Sequence, residues 1–227
     1  MTGSATDRAG TWIGSDESGK GDYFGPLVVA AVAVDEASAE RLAAAGVQDS
    51  KRVSNRRAQA LSDLILAECP HALVVIGPRK YNELYERIGN LNRLLAWAHA
   101  RAIEDLLDDV EPTVIVVDKF ADDRVLRQAL MKKGARHRVI QVVRGESDPA
   151  VAAASILARA RFLSALEELS RTWNVPLAAG AGTPTLEAGR AFVARHGAPA
   201  LREVAKLHFK TTAAVTSALN SDQRRSR

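Results

Sequence analysis

Residues 11–34 read TWIGSDESGKGDYFGPLVVAAVAV, and the fold turns on how this stretch divides. Residues 11–16 and 26–34 have the composition of strands. Between them lies a turn that contains Gly19, Lys20, Gly21 and Gly25. The second run is apolar at both alternating positions, the pattern of a strand buried on both faces. Further strands are expected at 72–76, 113–117 and 139–143. They alternate with helices expected at 54–68, 90–108, 123–131, 149–171 and 185–196, and a short helical segment is expected at 200–204 after Pro199. Ser54 and the pair Asp148-Pro149 carry helix-start chemistry. Strands first, then strands alternating with helices, indicate an α/β layer structure. One domain is expected over 11–219, with a flexible N-terminus at 1–10 and a flexible basic tail at 220–227.

Composition excludes several classes. Of the 227 residues, 47% are apolar and 26% charged, which excludes a disordered chain. The single cysteine, Cys69, excludes an internal disulfide framework and fits a reducing, cytoplasmic setting. The longest uninterrupted apolar run, 27–34, is far short of a membrane span, and the polar start MTGSATDRAG has no apolar core for a secretory signal. A formal charge of +4 permits a polyanionic partner without requiring one.

Acidic residues sit at the ends of the expected strands. Asp16 and Glu17 close the first; neighbouring side chains on a strand point to opposite faces, so the two converge only if the strand breaks there, and Ser18-Gly19-Lys20-Gly21 offers a break. Asp118 ends the β-branched run TVIVV. Glu146 follows the strand at 139–143. Carboxylates at strand ends lie at the rim of a sheet, where α/β sites form. An all-oxygen donor set favours Mg²⁺ or Mn²⁺ over zinc. Asp148 reads as a helix cap and Glu146 as the cation-facing group, although the two are close enough in sequence to exchange roles. The pairs Asp108-Asp109 and Asp122-Asp123 flank helices and read as caps or solvated surface. Trp97 and His99 are assigned to packing, and Ser155 to close helix–sheet contact. For Arg159 and Arg161 substrate contact and solvated charge both remain open.

The stretch from Gly14 to Leu27, GSDESGKGDYFGPL, resembles the opening signature of the type 2 ribonucleases H, and its GKG form resembles ribonuclease HIII rather than ribonuclease HII, which usually carries GRG. Other matches follow in the family's order: Asp49-Ser50-Lys51, Asn90-Leu91-Asn92, Asp118-Lys119-Phe120-Ala121, Glu146-Ser147 with Val151 to Arg159, and Lys206-Leu207-His208-Phe209-Lys210. Together they cover residues 13–212.

The resemblance implies a ribonuclease H-like fold, with a mixed central sheet flanked by helices and a helical C-terminal part. It implies endonucleolytic cleavage of the RNA strand of RNA–DNA hybrids, leaving 5′-phosphate and 3′-hydroxyl ends. It makes Asp16, Glu17, Asp118 and Glu146 the catalytic residues and the ligands of two divalent cations, Mg²⁺ or Mn²⁺; a glutamate in the fourth place matches the HIII pattern. Gly19, Lys20 and Gly21 become readers of the 2′-hydroxyl, and Lys51, Asn90, Asn92, Lys206 and Lys210 become contacts to phosphate or sugar. The expected partner is the hybrid substrate, with no membrane and no obligate protein partner, for a monomer. Ribonucleases HIII usually carry an N-terminal substrate-binding domain, whereas 15 residues precede Asp16 here, so affinity is expected to be weaker or supplied by other surfaces. The alternatives are an HII-type enzyme that incises single ribonucleotides embedded in DNA, and a catalytically silent hybrid-binding module.

Overall fold

The computed structural model describes residues 10–47 and 53–225. The chain packs as two compact units. The first takes the described parts of Met1–Ser18, Val28–Val74 and Ile88–Arg161, and the second those of Gly19–Leu27, Val75–Arg87 and Phe162–Arg227.

The first unit is built on a mixed five-stranded sheet in the order β3-β2-β1-β4-β5. Its strands are β1 (Trp12–Ser18), β2 (Leu27–Val34), β3 (His71–Ile76), β4 (Ile115–Asp118) and β5 (Val139–Val142). β1 pairs antiparallel with β2 and parallel with β4, and β4 pairs parallel with β5. All eight residues of β2 are buried, as a strand without polar alternation must be. The helices are α1 (Glu36–Ala45), α2 (Asn55–Glu68), α4 (Leu91–Leu106) and α5 (Asp123–Ala129), together with the first half of α6 (Pro149–Trp173). Their starts are marked by local chemistry. Asp35 and Ser38 form a reciprocal capping box on α1, and Ser54, Asn90 and Asp122 accept backbone N–H bonds at the starts of α2, α4 and α5.

α6 lies hard against β1. Residues Ala150, Val151, Ala152, Ala153 and Ala154 are fully buried, and a Cβ added at Gly14 would stand 2.1 Å from the carbonyl carbon of Ala150. Only a residue without a side chain permits that approach. By length and composition α6 could cross a membrane, but 67% of its apolar window is buried within the protein. Charged and polar residues break it into short apolar runs, so counting uninterrupted runs passes over it.

The second unit contains α3 (Pro78–Ile88), the rest of α6, α7 (Thr183–His196), a 3₁₀ segment (Ala198–Glu203) and α8 (Lys210–Arg225). Its interior is aromatic, with Tyr23, Phe24, Tyr81 and Phe192 all fully buried. The loop that leads to β2 turns at Gly19, whose φ is +88° and whose added Cβ would lie 2.1 Å from the Pro26 carbonyl oxygen. That backbone suits glycine alone.

Several expectations need correction. β1 does not break at Asp16: it continues through Glu17 and Ser18, which pair with Val29 and Val28. α1 and α3 lie outside the expected helices, although Asp35 and Ser38 carried the start signal for α1. The segment after Pro199 is a 3₁₀ turn, and α8, at Lys210–Arg225, is a further helix outside the expected ones.

Candidate active site

One cavity of about 440 Å³ in the first unit is lined by Asp16, Glu17, Ser18, Asp118, Glu146, Ser155 and Arg159. Asp16 and Glu17 come from β1, Asp118 from the end of β4, and Glu146 from a 3₁₀ turn (Gly145–Ser147) just before α6. α6 contributes Ser155 and Arg159.

Adjacent residues of one strand reach the same cavity because of where the sheet stops. The pairing of β1 with β4 ends at Ser15 and Val117, while β1 stays paired with β2 for three more residues. Asp16 and Glu17 therefore stand on a strand whose β4-side edge has come free. Side chains from both faces reach the opening.

Two of the carboxylates are held by backbone amides. The Asp16 Oδ1 accepts from the Glu17 amide at 2.7 Å, and the Ser155 hydroxyl also bonds to Asp16. Asp118 Oδ1 accepts from the Gly145 amide at 2.8 Å, which ties the end of β4 to the turn that presents Glu146. Arg144 enters that turn with φ at 57°, a left-handed conformation uncommon for a side-chain-bearing residue. Asp148 does not line the cavity. It is buried, accepts from the indole N–H of Trp12 at 3.2 Å, and caps α6 through the amides of Ala150 and Val151.

Electrostatics mark the same place. Burial pushes Asp16 up to about 7, and the negative charges of Glu17 and then Asp118 add to the rise against the pull of its hydrogen bonds. Among the described residues no three His, Cys, Asp or Glu side chains are gathered at a common ligating spacing. The carboxylates line one cavity without meeting at a single point. Their oxygen-only chemistry fits a hard divalent cation, whose charge would offset the burial and repulsion that raise Asp16.

His99 is the residue that sequence reasoning misplaced. It is buried on α4, but it is more than packing. Its Nδ1 lies 2.8 Å from Ser15 Oγ and its Nε2 lies 3.2 Å from Glu17 Oε2, while the ring stacks on Phe120 at 4.8 Å between centroids. A histidine on an apolar stripe gives no signal of this in one sequence. Trp97, also assigned to packing, is 38% exposed on the same helix. Ser155, read as a spacer, bonds to Asp16. Arg159 reaches the cavity and donates to Asn55 Oδ1 at 3.0 Å.

None of the expected substrate contacts among the described residues lines this cavity. Gly19 is buried, Lys20 half-buried and Gly21 exposed, all on the second unit's loop. Lys51 falls outside the described residues. Asn90 caps α4 by accepting from the Arg93 amide, and Asn92 is exposed in that helix's first turn. Lys210 is exposed at the start of α8.

Lys206 must be withdrawn as a phosphate contact. It is fully buried, and its Nζ donates to the carbonyls of Asp22 at 2.9 Å, Phe24 at 3.4 Å and Gly25 at 2.7 Å, with the face of Tyr81 at 5.6 Å. Burial pushes this ammonium down to about 7, and the charge of Asp22 acts the other way. The three carbonyls also favour the charged form, because an ammonium can serve all three and a neutral amine only two. Lys206 braces the glycine-rich loop from inside.

Comparison with known proteins adds the following. The family model described as Ribonuclease HII matches residues 13–212. The ribonuclease HIII of Protochlamydia amoebophila is 44% identical over 203 residues, covering 89% of this chain and 67% of that protein. The ribonuclease HIII of Chlamydia caviae is 42% identical, covering 88% of this chain and 67% of that protein. Among solved structures, Bst ribonuclease HIII in complex with Mn²⁺ superposes with a TM-score of 0.85 at 35% identity, over 92% of this chain and 70% of that one.

Proposed function

The chain belongs to the type 2 ribonuclease H family, and from that membership we propose that it hydrolyses the RNA strand of RNA–DNA hybrids, leaving 5′-phosphate and 3′-hydroxyl ends. Asp16, Glu17, Asp118 and Glu146 are the ligands of two divalent cations in this reading, Mg²⁺ or Mn²⁺. The observation that carries it is the single cavity they line, together with the raised Asp16. Held by these carboxylates, divalent cations would supply the positive charge that activates water and stabilises the departing oxygen in an in-line displacement. The chain's own residues do the positioning. The Glu17 amide and Ser155 orient Asp16, and the Gly145 amide orients Asp118. Arg159 supplies a cation at the cavity wall toward a phosphate.

RNA is distinguished from DNA by its 2′-hydroxyl. Gly19, Lys20 and Gly21 are suited to read it, since backbone groups flanked by glycine can approach closely and Lys20 can meet a phosphate. Lys51, Asn90, Asn92 and Lys210 complete the proposed contacts. The curated relatives named above are ribonucleases HIII, and by likeness this chain acts on runs of ribonucleotides more than on a single one. The buried free thiol of Cys69 is compatible with a cytoplasmic setting.

The test is cleavage of labelled hybrids whose RNA stretch runs from one ribonucleotide to many, with Mg²⁺ and Mn²⁺ in turn. Cleavage is expected to need a long RNA run and a divalent cation. It is expected to fall by more than about 10²-fold in Asp118→Asn, since even groups that only support a metal ligand cost up to that much. Cutting that survives a chelator or this substitution refutes the assignment. Efficient incision at one ribonucleotide favours the HII-type reading.

A further inference from the structure

His99 stands where it can control Glu17 without touching substrate. Three bonds decide its proton inventory. Ser15 Oγ lies 2.8 Å from the Ala30 carbonyl oxygen and 2.8 Å from His99 Nδ1, and His99 Nε2 lies 3.2 Å from Glu17 Oε2. The Ser15 hydroxyl has one hydrogen. If it goes to Ala30, then Nδ1 must carry a hydrogen to bond Ser15, and Nε2 must carry another to bond an ionised Glu17. If it goes to Nδ1, the ring is neutral and its one hydrogen sits on Nε2. With Glu17 ionised, as a cation ligand must be, Nε2 donates to it in both arrangements.

The ring cannot turn away from that duty. It is fully buried and lies almost parallel to Phe120, at an interplanar angle of 3°. Phe120 lies two residues past the end of β4, so one imidazole meets β1 and the segment that follows β4. It meets one by hydrogen bond and the other by stacking.

We propose that His99 is a positioning residue that sets the orientation of the Glu17 carboxylate for a divalent cation, with Ser15 fixing the ring and Phe120 its plane. The proposal rests on the reading of Glu17 as a cation ligand. It extends that reading to a buried outer residue of the kind that commonly orients ligating groups. A histidine that merely fills space would tolerate any side chain of similar volume. One that orients Glu17 needs a donor at the Nε2 position.

The substitutions separate these roles. His99→Phe keeps the stacking and volume but removes both hydrogen bonds. His99→Asn can reach Ser15 but offers nothing at Nε2. His99→Gln places an amide N–H close to Nε2. Ser15→Ala leaves the ring in place but frees it to tilt. Mn²⁺ binding to the full chain without nucleic acid is read by titration calorimetry, with circular dichroism and urea midpoints checking the fold. His99→Phe and His99→Asn are expected to weaken Mn²⁺ binding by about 10–100-fold. His99→Gln should stay near the wild-type value, and Ser15→Ala should shift in the weaker direction. Wild-type Mn²⁺ affinity in both folded His99→Phe and Ser15→Ala overturns the proposal, as does a His99→Gln loss equal to that of His99→Phe. If the wild-type chain binds no Mn²⁺, the carboxylate reading itself fails, and this inference fails with it. If wild-type binding is abolished by Asp118→Asn but indifferent to His99, the inference alone fails.

Discussion

Substituting Gly14 by alanine tests how closely α6 lies against β1. An added Cβ would stand 2.1 Å from the Ala150 carbonyl carbon, 2.2 Å from the Val151 amide nitrogen and 2.6 Å from the Ala150 carbonyl oxygen. Carbon atoms in contact sit about 3.5–4.0 Å apart, so the N-terminus of α6 must retreat by about 1.5 Å. The obstruction is backbone and no rotamer change relieves it. Retreat strains the Asp148 bond to the Trp12 indole at 3.2 Å and opens the buried layer from Ala150 to Ala154. Overpacking of a core costs about 1–3 kcal/mol, and an unyielding backbone contact places this change at or above the upper end. About 3 kcal/mol corresponds to roughly a hundredfold fall in the ratio of folded to unfolded chain. Because α6 also carries Ser155 and Arg159, a displacement of this size should lower hybrid cleavage by about 10²-fold even where the protein is folded. Urea denaturation measures the first effect and cleavage at low denaturant the second. Gly21→Ala is the control for stability: nothing lies within 4 Å of its added Cβ and its φ is not in the left-handed region, so its midpoint should stay within about 0.5 kcal/mol of wild type. A Gly14→Ala protein as stable as the Gly21→Ala control, with undiminished cleavage, would refute the packing argument.

The remaining predictions concern charge. Asp16 is raised to about 7 in the folded chain against 3.8 ordinarily, so between about pH 4 and 7 the folded state holds a proton that the unfolded state releases. With a chelator present, this contribution to stability is complete below about pH 4 and disappears as pH rises through about 7; urea midpoints across that window should decline in wild type and flatten in Asp16→Asn. Mn²⁺ affinity should move oppositely, strengthening as pH rises to about 7 and levelling beyond, because only the ionised carboxylate ligates. A pH-independent titration between 5 and 8 counts against a raised Asp16. Lys206→Met removes the donor shared by the carbonyls of Asp22, Phe24 and Gly25 and should destabilise the protein by about 3 kcal/mol in urea. A midpoint unchanged from wild type removes the case for an internal brace.

Much of the local architecture was legible from residue order. The all-apolar run that became β2, the cap residues Ser54 and Asp148, and the strand-end position of Asp118 each follow from short-range chemistry that acts over a few residues. Acidic residues at strand ends also pointed to the rim of a sheet. The route by which Asp16 and Glu17 share a cavity did not follow. A turn was expected to break the strand, whereas the strand continues and the neighbouring strand stops short. That depends on the length of β4, some hundred positions away in the chain.

His99 and Lys206 mark the same limit from opposite sides. A histidine on an apolar helical stripe and a lysine in a basic cluster have ordinary local readings, one as packing and the other as a surface cation. Three-dimensional packing reverses both: it brings His99 to Ser15 and Glu17, and it closes Lys206 over the carbonyls of a loop more than 180 residues earlier. Sequence alone located the five strands and most of the helices and pointed to the acidic residues at strand ends, because propensity, capping and periodicity are local. Only the tertiary structure decided which polar groups meet, because a buried hydrogen bond depends on partners that the chain brings together from afar.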